Sequence, residues 1–312
     1  MEQTFHAGFV AIIGLPNVGK STLLNLLLGQ KIAIISPRPQ TTRNRILGVK
    51  NLPNGQLVLI DTPGLHRPGG SGRNELNKYM VDQALSAMGE VDAVLVLVEA
   101  PSPENAKKIE RGGYRIDIAH KALLAALVEA KKPAILAINK VDVLSRKHLL
   151  LPVLQEWGRA HPFRAMLPIS ALKSVGIDEL MTELTALLPA GERLFPEEMI
   201  TDRAERWLAA EMVREQVFVL TRDEVPYAVA VTLDSFEERA KDVVISATIH
   251  VEKEAQKRII VGEGGRMVRE IGSRARHEIG QLLDCEVHLK LFVRVDAGWS
   301  QSSRALKDMG YG

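Results

Sequence analysis

Apolar positions in the first 190 residues fall into short continuous runs separated by stretches of helical period. "FVAIIG" (9–14), "QLVLID" (56–61), "DAVLVLV" (92–98), "PAILAINK" (133–140) and "AMLPIS" (165–170) do not alternate with polar residues. That is the pattern of strands buried on both faces. Helices are predicted over 20–28 and 74–88, and near 119–131, 145–157 and 176–188. Strand and helix alternate, which predicts a mostly parallel sheet covered on both sides. The Asn-Gly of "LPNGQ" (52–56) predicts a hairpin turn between two early strands. "PGGSGRNE" (68–75) reads as a switch-like loop from its place in the chain. "PSPENAKKIERGGYRID" (101–117) has no clean periodicity and reads as a surface insertion.

"LPAGERLFPEEMITD" (188–202) breaks the rhythm with two prolines and a glycine, so a domain boundary is expected there. Beyond it the order changes. A helix (203–216) precedes two β-rich runs (226–234, 243–252), two helical segments (253–260, 266–282) and a last strand (286–295). This is α+β organisation. The expected layout is an α/β domain over 6–189, a linker over 190–202, and a smaller α+β domain with a tail over 203–312.

Composition changes this picture little. The 312 residues are 46% hydrophobic and 25% charged, with mean hydropathy near zero, as in an ordinary soluble protein. Cys285 is the single cysteine, so an internal disulfide is excluded. No apolar run is long enough to span a bilayer. The start, "MEQTFHAGFVAIIG", lacks the basic flank and cleavage site of a signal peptide, so a cytoplasmic location is expected. The formal net charge is only +2. Through residue 199 there are 23 basic and 19 acidic residues, and after it 17 and 19. Any nucleic-acid surface must therefore be a local patch.

The chemistry starts at "GLPNVGKST" (14–22), which follows a strand and opens a helix, as a phosphate-binding P-loop does. Glycines let the backbone of Gly14, Leu15, Pro16, Asn17, Val18 and Gly19 curl around phosphate, with N–H donors from every residue but Pro16. Lys20 would reach the β- and γ-phosphates, and Ser21, followed by Thr22, would bind Mg²⁺. "DTPGL" (61–65) ends an apolar strand: Asp61 would hold Mg²⁺ and the Gly64 amide the γ-phosphate, with Thr62, Pro63 and Leu65 completing the loop. In "NKVD", Asp142 offers two oxygens to the N1 and N2 donors of guanine, which adenine lacks. Asn139 would tie this loop to the P-loop, and the Lys140 stem, beside Val141, would cover the base. In "SAL", Ser170, Ala171 and Leu172, the Ala171 amide would face guanine O6. The switch threonine that reads the γ-phosphate is assigned to Thr42, with Thr41 as competitor. Lys20, Thr42 and Gly64 are the residues expected to act in hydrolysis. An ATPase is the alternative that nucleotide competition would reveal.

In the second half, Gly262-Glu263-Gly264-Gly265 follows an apolar run and precedes an amphipathic helix with Val268, Ile271, Ala275, Ile279 and Leu282 on one face. Such a loop suits the clamp of single-stranded RNA backbone by a KH domain. From Lys253 to Arg276 there are seven basic and three acidic residues. The expected RNA contacts are Lys257, Arg258, Gly262, Glu263, Gly264, Gly265, Arg266 and Arg269. A signalling GTPase with a C-terminal adaptor is the competing reading.

"GLPNVGKST", "QTTR", "DTPGLH", "NKVD" and "SAL", in this order, resemble the Era-type bacterial GTPases, and the likeness covers nearly the whole chain. The resemblance implies a P-loop GTPase domain followed by a type II KH domain. It implies a cycle between GTP and GDP with Mg²⁺, binding of 16S rRNA near its 3′ end and a role in small ribosomal subunit assembly; a monomer is expected, though the sequence does not fix the oligomeric state. It leaves open a peripheral association with the inner face of the membrane. Related GTPases use the residue at Asn17 to hold a K⁺ ion; the competing view is that Asn17 only fits the turn. Ras-like enzymes place a water-orienting glutamine where this chain has Leu65, so slow intrinsic hydrolysis is expected unless another group, such as His66, helps. Glu263 stands where the family favours a basic residue, and should either point away from phosphate or weaken the contact slightly. In the tail, "GWSQSSRALKDMGY" (298–311), Trp299 is either a small-core plug or a base-stacking platform.

Overall fold

A computed structural model describes residues 4–36, 38, 40–65, 75–144 and 146–311. The chain divides into two compact units. One holds residues up to 30, 42–72 and 80–202. The other holds 31–41, 73–79 and 203–312.

The first unit runs β1 (His6–Gly14), α1 (Lys20–Leu28), β2 (Ile46–Leu52), β3 (Gly55–Asp61), α2 (Glu75–Gly89), β4 (Ala93–Glu99), α3 (Pro103–Gly112), α4 (Ile118–Ala130), β5 (Ala134–Asn139), α5 (Leu150–Ala160), β6 (Ala165–Pro168) and α6 (Ile177–Ala186). The six strands lie in the order β2-β3-β1-β4-β5-β6. All neighbours are parallel except β2, which pairs antiparallel with β3 across the predicted hairpin. Every residue of β3 and of β5 is buried, which is why these runs show no polar alternation. Full burial of a valine, leucine or isoleucine here contributes about 1.5–3 kcal/mol.

The stretch over 101–117, read as a surface insertion, instead contains helix α3. Ser102 caps it by accepting a hydrogen bond from the Asn105 amide, a proline sits at its first position, and Gly113 ends it. The caps were visible in "SPEN…GG"; the apolar positions were too few to show a period. The switch-like loop expected over 68–75 lies, apart from Glu75, outside the described residues. Residues 190–202, read as a linker, are not a loose tether. Gln56, buried in β3, donates to the Phe195 carbonyl and accepts from the Leu194 and Phe195 amides. The Val49 amide donates to the Ile200 carbonyl at 2.7 Å.

The second unit orders α7 (Glu205–Leu220), β7 (Ala230–Glu238), β8 (Asp242–Val251), α8 (Glu254–Val261), α9 (Arg266–Leu283), β9 (Glu286–Val295) and α10 (Ser303–Asp308). Its sheet is β7-β8-β9, with β7 antiparallel and β9 parallel to β8. A parallel β8–β9 pair needs a crossover, and α8 with α9 supply it. The buried alternate residues of β8 (Val243, Ile245, Ala247, Ile249) share a core with Ile271, Ala275 and Ile279 of α9. Among the described residues no helix is long and apolar enough to cross a membrane.

Candidate nucleotide and nucleic-acid sites

Parallel strands point their carboxyl ends the same way, so their following loops gather at one edge of the sheet. Gly14 ends β1, Asp61 ends β3, Asn139 ends β5, and Ser170 lies just past β6. Gly19 adopts φ +99° immediately before α1, and a side chain there would overlap the Asn139 amide. Lys20 is buried, its ammonium donating to the carbonyls of Leu15 (3.1 Å) and Gly14 (3.4 Å). Asn17 holds a left-handed turn at φ +65°.

Three oxygens converge beside this loop. Ser21 Oγ lies 2.8 Å from Thr42 Oγ1 and 2.7 Å from Asp61 Oδ2, and Thr42 Oγ1 lies 3.0 Å from the same carboxylate oxygen. Asp61 is fully buried, and its Oδ1 has no hydrogen-bond partner among the described residues. Burial raises the Asp61 pKa, against the pull of the Lys20 charge; burial lowers that of Lys20, against the pull of Asp61. A buried carboxylate with a spare oxygen next to two hydroxyls is a hard oxygen-donor set that fits Mg²⁺. The side chain at this corner is that of Thr42 rather than Thr41. Leu65 donates its amide to the Gly14 carbonyl, which seats the loop after β3 beside the P-loop, and Gly64 packs against Pro16. His66 lies outside the described residues.

The two loops expected to hold guanine are braced by one another. Asn139 Nδ2 donates to the Val18 carbonyl at 2.7 Å, the tie to the P-loop expected from sequence. Ser170 Oγ donates to Asp142 Oδ1 at 2.5 Å, which aims the carboxylate. Lys140 sits 3.2 Å from Glu99. Leu172 is 73% exposed. The Ala171 amide, expected to face guanine O6, donates here to Asn139 Oδ1 at 2.9 Å. That residue's amide side chain uses both ends as struts, and this one takes the donor.

In the second unit, Gly262, Gly264 and Gly265 all adopt positive φ between α8 and α9. At Gly262 a Cβ would come within 2.7 Å of the Met267 Cβ, so the turn tolerates no side chain. Arg269 Nη2 donates to the Gly264 carbonyl at 2.7 Å and stiffens the loop. Glu263, Gly264, Arg266 and Arg258 are exposed. Beside the loop, α9 and β9 enclose a cleft of about 500 Å³ with Arg269, Ser273, Arg276, His288 and Lys290 on its walls.

A family model described as "50S ribosome-binding GTPase" matches residues 9–140, and a "KH domain" model matches 224–300. The chain is 49% identical over 311 residues to GTPase Era of Geotalea uraniireducens, covering 99% of both proteins. It is 50% identical over 312 residues to GTPase Era of Geobacter metallireducens, again covering 99% of each. The chain belongs to the Era family of GTPases. A single-residue variant of Aquifex aeolicus Era bound to GDP and aluminium fluoride superposes with a TM-score of 0.90 at 40% identity, over 99% of this chain and 100% of that one. Era in complex with MgGDPNP and nucleotides 1506–1542 of 16S ribosomal RNA does so with the same TM-score and identity, over 99% of both.

Within the Era frame, the sequence missed the far wall of the cleft beside the glycine loop. Ser273 and Arg276 continue the Arg269 face of α9, at four- and then three-residue spacing, and could have been found that way. His288 and Lys290 could not, because only the β8–β9 pairing brings β9 beside α9. Trp299 is a core plug and not a stacking platform. It is 1% exposed, its Nε1 donates to the Ala228 carbonyl, and its ring stacks on Tyr311 at 5.9 Å.

Proposed function

We propose that this Era-family chain is a GTP-gated RNA-binding enzyme that grips the 3′ end of 16S rRNA during small-subunit assembly and lets go after hydrolysis. In this reading residues 6–189 bind and hydrolyse GTP, 190–202 connect, and 203–312 hold RNA. The observation that carries it is the buried corner of Ser21, Thr42 and Asp61, with its spare carboxylate oxygen, at the carboxyl edge of the sheet. The relative solved with both MgGDPNP and 16S nucleotides supports the RNA assignment.

Each loop then has a role. Lys20 leaves its carbonyl partners for the β- and γ-phosphate oxygens. Ser21, Thr42 and Asp61 would hold Mg²⁺, which on binding neutralises phosphate charge. The Gly64 amide holds the γ-phosphate, and Thr42, whose hydroxyl lies at the corner, would bind Mg²⁺ only when that phosphate is present. Asp142, aimed by Ser170, selects guanine. Asn17 would take K⁺, supplying positive charge where other GTPases use an arginine. Leu65 cannot orient water, so turnover without partners is slow. On the RNA side, Lys257, Arg258, Arg266 and Arg269 neutralise phosphates around the glycine loop, and the exposed Glu263 turns outward.

A nucleotide can control RNA grip only if the two states bind RNA differently. RNA carrying the 3′ end of 16S rRNA should bind more tightly with a non-hydrolysable GTP analogue than with GDP, measured by filter binding at fixed salt. Equal affinities would remove the gating and leave two independent binding sites.

A further inference from the structure

Strand β9 alternates between two faces. Val287 is buried, and Leu289, Leu291 and Val293 pack on the same core. Glu286, His288, Lys290, Phe292 and Arg294 face the other way and are exposed. A sheet face turned to solvent is expected to be polar, and Phe292 departs from that with 56% of its surface open. No other ring and no cation stacks on its phenyl group among the described residues. Its register partner on β8 is Thr248, and Ser246 lies opposite Lys290. Both are too short to cover a ring, and the Thr248 hydroxyl is turned to Asp234, donating at 2.8 Å. Lys290 and Arg294 stand about 6.6 Å to either side of Phe292 along the strand. Lys290 is exposed and has no ion-pair partner among the described residues. Arg294 is held through Nε by Asp296 at 3.1 Å, with its side chain 70% exposed. Nearby carboxylates have further partners of their own: Asp242 lies 3.0 Å from His288, and Asp296 lies 2.7 Å from His250.

We propose that Phe292 is a base-stacking site that lengthens the RNA site beyond the cleft: single-stranded RNA that fills the cleft runs on along β9, one base stacks on the phenyl ring, and Lys290 and Arg294 take the phosphates on either side. The inference rests on the reading of the second unit as an RNA binder, and all of these groups belong to that one unit. Continuity carries it. His288 and Lys290 are walls of the cleft and also members of the exposed row, so a strand leaving the cleft along that row meets Phe292 next. β9 is an edge strand, and no further strand of the sheet lies beyond it. An aromatic face between cations is what an unpaired nucleic-acid strand needs, because every base has a face to stack and every link a charge to neutralise. A protein partner could also cover the ring, but the two flanking cations favour a polyanion.

The test uses the full chain with a non-hydrolysable GTP analogue and nested single-stranded RNAs from the 3′ end of 16S rRNA. The set starts at about four nucleotides, the number a KH loop clamps, and is lengthened one nucleotide at a time at either end. F292A should bind the shortest RNA as wild type does, and lose on the order of ten-fold on RNAs long enough to reach the ring. F292W should keep the wild-type gain with length, while F292L, apolar but without a ring face, should lose most of it. F292A should leave the salt dependence unchanged, because a phenyl group neutralises no phosphate, whereas K290A should reduce its slope by about 0.7. Equal affinity of F292A and wild type at every length would overturn the proposal and leave the face to a protein partner. A loss that is the same at every length, or full binding by F292L, would overturn it too. The paired change G262D and G265D should lose RNA of every length, which separates the cleft from the stacking site; if wild type bound none of these RNAs, the RNA reading itself would fail and the stacking site with it. Should F292A melt early, R294A replaces it, and a loss without length dependence in a folded R294A would overturn the proposal equally.

Discussion

Asp142 shows how much chemistry one residue carries. It is exposed, yet Ser170 fixes one carboxylate oxygen and leaves the other side of the group to a ligand. In the proposed reading guanine presents two adjacent donors to such an acceptor and adenine presents no such pair, so selectivity would come from a charge that the wrong base would cover and leave poorly paired. D142N replaces one acceptor with a donor. It should cost about 10- to 100-fold in GTP affinity and narrow the preference over ATP, read by competition against a fluorescent guanine nucleotide. A variant that kept full selectivity would contradict this account of the loop. Asn139 works differently, as a strut: one end holds Val18, the other Ala171. The sequence suggested only the first of these bonds.

At the scale of elements, the glycine loop between α8 and α9 depends on backbone shape. Three of its four residues need positive φ, and Gly262 also needs empty space beside Met267. Carboxylates placed there add repulsion to strain. The paired change G262D and G265D should abolish RNA binding, measured at low salt, while GTP hydrolysis without RNA stays near wild type. Loss of both activities together would mean that the change had unfolded the chain, which the melting curve distinguishes; retained RNA binding would favour the adaptor reading. Helix α3 teaches a related lesson. Its caps, Ser102 and Gly113, were legible, but its few apolar positions hid it in an apparent surface insertion. Caps can specify a helix where periodicity is silent.

At the scale of the whole molecule, residues far apart in sequence meet. Lys31 pairs with Glu215 and Glu278, while Gln216 also donates to Glu278 at 2.9 Å. Burial works against the Lys31 charge, but the hydrogen bonds and charges of the two glutamates outweigh it and raise its pKa above the usual 10.5. A raised lysine pKa means that the folded state holds the proton more tightly than the unfolded one. On the alkaline side the Lys31 contribution is therefore fully present up to pH 10.5 and disappears as pH climbs through the higher folded value, while burial raises the Glu215 pKa and limits the pair toward acid pH. Thermal melts from about pH 9 upward should show wild type losing stability faster than K31M across that window, and parallel curves would refute the pairing. Lys31 is partly exposed, so the effect is small and shrinks with salt.

What the sequence determined by itself was local and periodic. Unbroken apolar runs fixed the parallel strands, the Asn-Gly turn fixed the β2–β3 hairpin, and the P-loop and NKVD stretches announced their ligand, because strand burial, turn chemistry and phosphate cradling each act over a few neighbouring residues. Tertiary structure alone decided the rest. It brought β9 beside α9 to complete the cleft, pressed Trp299 into a core, bound residues 190–202 along β2 and β3, and set Arg214 against Thr41. Each of these depends on contacts between residues far apart in the chain, whose meeting is set by how packed elements satisfy their buried polar groups, and no local pattern encodes that.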